Sequence, residues 1–285
     1  MNNLTSVESW SFYEEMVKSQ EYGEIVSSEG NVVLSSALEA EADLFISKLR
    51  GRSSVIDVGS GLGFPSLVLA PHVGHLVAVD GAPTMVNQLT SHIERLGYEN
   101  MRVVRAEVEA ALPLDGERFD GASICGTVGS LNKPERMLEE LHRVMRPAGI
   151  VVCAAENFAD KLALDEGKEF RWFRMNEGLL CLQVIEYLHN PHRIRDSRYT
   201  IRESSDLYQG LLAEHEGALT WRAPTDRRPE DLPTESFASA VFDEAIQYDP
   251  EGLKAAFEEA GFKERSLELK RNFRVEHIHA VFEKG

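Results

Sequence analysis

The sequence predicts an α/β fold, a doubly wound and mostly parallel sheet with helices on both faces, and three observations lead there. From residue 53 onward, short β-branched apolar runs alternate with longer stretches of helical spacing. The first run, VIDVG, opens into a glycine-rich turn at Gly59, Gly61 and Gly63. The second, HLVAVD, closes on an acid, Asp80. Strands that alternate with helices are joined by crossovers, which make neighbouring strands parallel and bury both faces of their sheet.

Taken in order, the first element is a helical N-terminal segment, residues 1–50. Apolar and aromatic positions recur there at Trp10, Tyr13, Val17, Leu38, Leu44, Phe45 and Leu49, and the segment is expected to cover the active site. Strands follow at 54–59, 75–80, 101–106, 119–125 and 149–155, with helices between them at 64–71, 83–96 and 134–146. Pro65 falls in the first turn of its helix, where a missing N–H costs little. Residues 157–247 then interrupt the alternation. They contain strand patterns at LLCLQVIEYL (179–188) and HRIRDSRYTIR (192–202), a helical stretch near 204–216 and the Pro-rich loop APTDRRPEDLPTES. An insertion of this length with elements of its own reads as an α+β cap after the fifth strand. The alternation resumes with DPEGLKAAFEEAGF, a helix that Gly261 ends, and two strands, KERSLELKR and VEHIHAVFE, which bring the sheet to seven. The expected division is a core of 51–156 with 248–285, and a substrate-binding cap of 157–247.

Bulk properties narrow the function classes. Thirty Lys and Arg against 47 Asp and Glu leave a formal charge of −17, which repels phosphate backbones and anionic bilayers. No nucleic acid and no membrane partner is expected. Cys125, Cys153 and Cys181 are odd in number and far apart, with neither a disulfide framework nor a metal-ligand spacing, so no metal site is expected. The start, MNNLTSVESWSFYEEM, has neither a basic n-region nor an apolar h-region, and no apolar run reaches bilayer length. A soluble protein of the reducing cytoplasm is the expectation.

The glycine turn can be tested against known nucleotide seats. A dinucleotide-binding G-x-G-x-x-G would need glycine at 64, where Phe64 stands, and a P-loop would need a lysine that does not follow these glycines. The stretch reads instead D-x-G-x-G-x-G, Asp57 to Gly63. An acid at the strand end would sit badly beside a pyrophosphate and well beside a cation. Asp80, nineteen positions after Gly61, closes the neighbouring strand, where a carboxylate can accept hydrogen bonds from both ribose hydroxyls of an adenosine. Met85 offers a polarisable contact to a purine. Glu107 can accept from an exocyclic amine, and the N–H of Val108 suits a ring nitrogen.

VIDVGSGLG, VAVDGAPTM, VVRAEVEAALPLDGERFDGAS and LEELHRVMRPAGIVV, in this order and spacing, resemble the class I S-adenosylmethionine-dependent methyltransferases over about residues 53–156 and 249–283. The resemblance implies a Rossmann-like seven-stranded sheet and S-adenosylmethionine as cofactor. It puts the methionine part against Asp57, Gly59, Ser60 and Gly61, and the ribose on Asp80 beside Gly81. It puts adenine by Met85, Glu107 and Val108, and the reaction side at Cys125. Two positions depart from the family pattern: Ala148 stands where glycine is usual, and Glu107 where aspartate is commoner.

A sulfonium methyl is transferred in line to a nucleophile, so the enzyme must hold donor and acceptor close and dry, and a base must take the acceptor's proton. Candidates for that base are Glu186, Tyr187, His189 and His192 in the insertion and Tyr13 and Tyr22 near the start; the sequence does not choose among them. Arg193 and Arg195 fall on one face of their strand and Arg198 and Arg202 on the other, offering a contact to an anionic group. Trp172, Phe173 and Trp221 could wall an apolar pocket. The expected function is methyl transfer to an O, N or C nucleophile of a small molecule. Alternatives are a protein or peptide methyltransferase and a non-catalytic cofactor-binding regulatory module. The strands of the cap also offer an edge through which two chains could form a homodimer.

Overall fold

The computed structural model describes residues 25–27, 30–34, 36–157, 168–176, 179–187, 193–202, 206, 210, 223–224, 237–272 and 275–285. In chain order the elements begin with helix α1 (Ser36–Leu49), strand β1 (Ser54–Val58), helix α2 (Ser66–Leu69), β2 (His75–Asp80), α3 (Pro83–Leu96), β3 (Met101–Arg105), β4 (Phe119–Cys125), α4 (Pro134–Val144) and β5 (Met145–Glu156). Five strands of a second sheet follow: β6 (Lys168–Asn176), β7 (Leu179–Tyr187), β8 (Arg193–Arg202), β9 (Ala223–Pro224) and β10 (Phe237–Tyr248). The chain closes with α5 (Pro250–Glu259), β11 (Phe262–Asn272) and β12 (Val275–Lys284).

The main sheet has the order β11-β12-β5-β4-β1-β2-β3. Strands β1 to β5 pair in parallel, and β12 runs antiparallel to both β5 and β11. Both faces are buried, as a sheet with crossover helices requires. One face sets Val55, Leu76, Ala78 and Val152 against Phe45 and Leu49 of α1 and Leu89 and Ile93 of α3. The other sets Ile56, Val77, Val79 and Ile124 against Leu138 and Leu141 of α4 and Leu253 and Phe257 of α5. Each face carries every second residue of a strand, the period of two that an extended chain imposes. Helix α3 shows the sequence signals at work: Pro83 begins it, and Gly97 ends it in the left-handed conformation, with Tyr98 donating back to the carbonyl of Ile93.

Several expectations need correction. Residues 25–27 and 30–34 are not helical; Val26 bridges to Val32, and Gly30 has a φ of +76°. The helix expected over 64–71 is only the four residues of α2 followed by a 3₁₀ turn at 70–72, because Pro71 cannot donate to continue an α-helix. Pro65 precedes that helix as its cap instead of lying in its first turn. Strand β5 begins at Met145, four residues early, and passes through Ala148 at φ +59°.

The second sheet has the order β10-β8-β7-β6-β9 and pairs antiparallel throughout. Its strands β7 and β8 match the expected pair; β6 and β10, which carry no clean alternation of apolar and polar residues, add to it. The backbone of β10 runs past the short turn 128–130 that follows β4. At one junction with the main sheet, Asn157 donates its N–H to the carbonyl of Glu276 at 2.8 Å and its side-chain amide to the Glu276 carboxylate at 2.7 Å. At the other, the Asp249 carboxylate accepts the N–H of Gly252 at 2.7 Å and caps α5. Among the described residues no helix is long and apolar enough to cross a membrane.

Candidate active site

The strand order reverses between β1 and β4, so the crevice available to a ligand lies outside the carboxyl ends of these two strands. The glycine turn sits there. Gly59 and Gly61 have φ of +70° and +52°, a region open to glycine at little cost. A Cβ on Gly59 would lie 2.2 Å from the Thr127 hydroxyl, so the turn and the segment after β4 approach each other only because that side chain is missing. Thr127 fixes the approach by lying within hydrogen-bond reach of the carbonyls of Val58, Gly59 and Cys125, at 3.1 to 3.3 Å. A Cβ on Gly63 would strike Leu67 and Leu89, so this glycine serves the packing of α2 and α3. Around Gly61 the nearest atom to a Cβ is the Met85 sulfur at 3.7 Å, an ordinary contact, so the backbone here stays approachable.

Two acids bracket the turn. Asp80 is buried and accepts the N–H of Gly61 at 2.8 Å on one oxygen and the N–H of Ala82 at 2.9 Å on the other. A carboxylate has about four acceptor sites, and these two bonds aim the group. Asp57 is wholly buried and accepts the hydroxyls of Ser66 at 2.5 Å and Ser123 at 2.8 Å. Burial pushes its carboxyl up to about 7; the two serines pull it down in part, and the Asp80 charge adds to the rise. Asp57 therefore braces β1 against α2 and β4 from inside.

The other expected residues fall around the same crevice. Gly81 is buried, and its carbonyl accepts from the Arg105 guanidinium at 3.3 Å. Met85 packs with Ala82 and Leu62 under the turn. Glu107 and Val108 follow β3, whose end is tied to β2 by the N–H of Ala106 donating to the Asp80 carbonyl at 3.0 Å. Val108 turns its side chain into the core. Cys125 ends β4, and its thiol donates to the Glu41 carboxylate at 3.5 Å. Burial, with the charges of Glu41 and Asp57, pushes that thiol well above the ordinary range, so it stays protonated and is no nucleophile. Cys153 lies in the core, its thiol pushed up to about 12.

The base candidates Tyr13, Tyr22, His189 and His192 lie outside the described residues. Reading the sequence missed Ser66, Ser123 and Thr127, whose small hydroxyl side chains carry no spacing signal of their own. They matter because Ser66 and Ser123 hold Asp57 near the strand end and Thr127 holds the backbone where the turn begins.

One further observation concerns what the turn could hold. The Ser60 hydroxyl is buried and has no hydrogen-bond partner among the described residues. A buried hydroxyl without a partner costs about 1–3 kcal/mol, so it fits a seat completed by a polar ligand. With the open backbone at Gly61 and the carboxylate of Asp80, it matches a ligand bearing both an amino-acid part and a ribose.

The chain is similar to known methyltransferases. Residues 56–153 match the model of a methyltransferase domain. An uncharacterized methyltransferase, YcgJ, of Bacillus subtilis is 25% identical over 175 residues, which are 61% of this chain and 62% of that protein. An S-adenosylmethionine-dependent methyltransferase from Clostridium acetobutylicum superposes with a TM-score of 0.57 at 11% identity, covering 87% of this chain and 92% of that one. The amino pentose methyltransferase CalS10 of Micromonospora echinaspora, solved with S-adenosylmethionine bound, gives 0.51 at 15% identity over the whole of both chains. The matched region spans less than two thirds of the curated relatives' length, from 30% to 62% for the first three. Their names cover arsenite, demethylmenaquinone and protein L-isoaspartate as substrates.

Proposed function

We infer the reaction from one premise: the chain carries a class I S-adenosylmethionine-dependent methyltransferase domain, built on residues 56–153, and S-adenosylmethionine is its cofactor. The proposed function is transfer of the cofactor's methyl group to a small-molecule nucleophile. When bound, the cofactor supplies an electrophilic methyl on a sulfonium. The chain's own part is to bind, orient and dry. The backbone of Gly59 to Gly61 and the Ser60 hydroxyl would take the amino-acid end, and Asp80, aimed by the N–H groups of Gly61 and Ala82, would take the ribose. The single observation that carries the cofactor assignment is this Asp80 geometry at the β1–β2 carboxyl ends. Met85 and the segment from Glu107 would border the adenine.

The small-molecule acceptor rests on two supports. The insertion 157–247 places a strand, β10, beside the turn that follows β4, the side from which an acceptor would approach. A net charge of −17 disfavours a polyanionic acceptor. The insertion would then act as a cap that excludes water and selects the acceptor.

The test uses cofactor labelled in its methyl group and a cell extract split by ultrafiltration. Label should move into compounds of the filtrate, with S-adenosylhomocysteine formed in equal amount. Label entering the protein retentate instead would assign a protein or peptide substrate. Tight cofactor binding without turnover in either fraction would leave a binding module and sink the enzymatic reading.

A further inference from the structure

Beyond the cofactor crevice, the sheet gathers a second set of chemically capable side chains. Strand β12 carries His277 and His279, two residues apart and therefore on one face. Pairing fixes which face. His279 lies opposite Ala154 of β5, which lies opposite Cys125 of β4, and His277 lies opposite Glu156, the last residue of β5. Both histidines thus stand at the carboxyl ends of the parallel strands, in the rows beyond Ser123, on the face that α1 covers. From α1, Glu41 reaches down between them: its carboxylate pairs with Nδ1 of His277 and accepts from the Cys125 thiol.

Three features separate this cluster from an ordinary ion pair. One ligand atom from each of Glu41, His277 and His279 lies within 4.8 Å of the other two. Glu41 is 3% and His279 is 9% exposed, a depth at which carboxylates and imidazoles are seldom left without paired partners. And Nε2 of His279 is buried with no hydrogen-bond partner among the described residues. Two imidazoles and a carboxylate gathered this closely, with one imidazole nitrogen left without a partner among the described residues, make a set that a shared cation would complete.

We propose that Glu41, His277 and His279 form a binding site for a divalent transition metal of borderline softness, zinc being the type case. Two imidazoles and one carboxylate are a ligand set such ions accept, and three protein ligands leave a coordination position open. That open position makes the site suited to an anionic oxygen, nitrogen or sulfur of a bound molecule. Strands lie about 4.8 Å apart, so β12 is two spacings, about 10 Å, from the end of β4. On the methyl-transfer reading this puts the ion on the acceptor's side, where it would lower the acceptor's pKa in place of the side-chain base. Metal binding itself does not depend on that reading. The proposal revises the expectation of no metal drawn from the cysteines.

The test is made on the full chain after chelator treatment and dialysis. Zinc and cobalt are titrated in, bound metal is measured by mass spectrometry, and the visible absorption of the cobalt form is recorded. About one equivalent should bind, with the absorption bands of a low-coordinate cobalt site. Glu41→Gln, His279→Ala and His277→Ala, the last at a side chain 20% exposed, should each weaken binding about tenfold or more, while His75→Ala, an exposed histidine outside the cluster, should not. Failure of the wild-type chain to bind, or equal binding by all four variants, overturns the site. Because His277→Ala touches the least buried member, it keeps the test sharp if the other variants fold poorly. S-adenosylmethionine titrated into the same preparations distinguishes the two readings. Metal without cofactor binding retains the site and rejects the methyl-transfer reading, and cofactor without metal binding does the reverse.

Discussion

The carboxylate of Asp80 receives the backbone N–H of Gly61 at 2.8 Å, so the acid that closes one strand is tied to the turn that follows the strand beside it. One residue thereby sets the shape of the glycine turn and would also contact the ribose. Asp80→Ala removes both, and cofactor affinity should fall about tenfold or more, at least 1.4 kcal/mol by titration calorimetry. Asp80→Asn keeps one acceptor oxygen and should lose less. Unchanged affinity in the alanine variant would remove the ribose assignment, and measurable binding of NAD would revive a dinucleotide seat.

Gly59 and Thr127 make a second coupled pair. Gly59→Ala places a methyl 2.2 Å from the Thr127 hydroxyl at a φ of +70°. The expected cost is about 2–5 kcal/mol from overpacking and left-handed strain together, seen as a Tm lowered by several degrees and as lost cofactor binding. Adding Thr127→Gly should recover the overpacking part only. A double variant no more stable than the single one would show that the contact is not what limits the turn.

Asp57 predicts a pH dependence. Its folded pKa, about 7, stands above the ordinary 3.8. Between those values the folded chain keeps a proton that the unfolded chain has lost, so this group's contribution falls as pH rises through that window, by something of the order of 4 kcal/mol in all. Denaturant unfolding of the wild type and of Asp57→Asn, compared across the window, should show curves that diverge with this sign. Parallel curves would place the acid's pKa elsewhere.

Ala148 is exposed and sits at φ +59°. Ala148→Gly relieves the left-handed strain and sacrifices no packing, so it should raise stability by about 0.5–1 kcal/mol, or roughly 2 °C in Tm. A lower Tm would mean that backbone entropy outweighs the strain.

These positions also show what could be read from the chain alone. The turn, the strand-ending acids and most core strands were legible because each is a local pattern: a period of two, a glycine that tolerates positive φ, an acid a fixed distance on. Ala148 could be noticed as a departure, though not weighed, until its dihedral was known. The brace of Ser66 and Ser123 on Asp57 was not legible, since those contacts join residues 9 and 66 positions away from the acid. Still less could Glu41 be matched with His277, because they meet only when the last strand is laid beside the fifth. The one local hint was the His-x-His of β12, which puts two imidazoles on one face. Strand β10 went unread because its acidic and alanine residues break the alternation that marks a strand.

Asn157 and Asp249 stand where the chain leaves the main sheet and where it returns, and each is fastened on the core side of its junction, to Glu276 and to Gly252. Neither fastening uses a residue of the five-stranded sheet between them. A stretch whose two ends are each fastened to the core side can be lengthened or trimmed between them with those two fastenings kept.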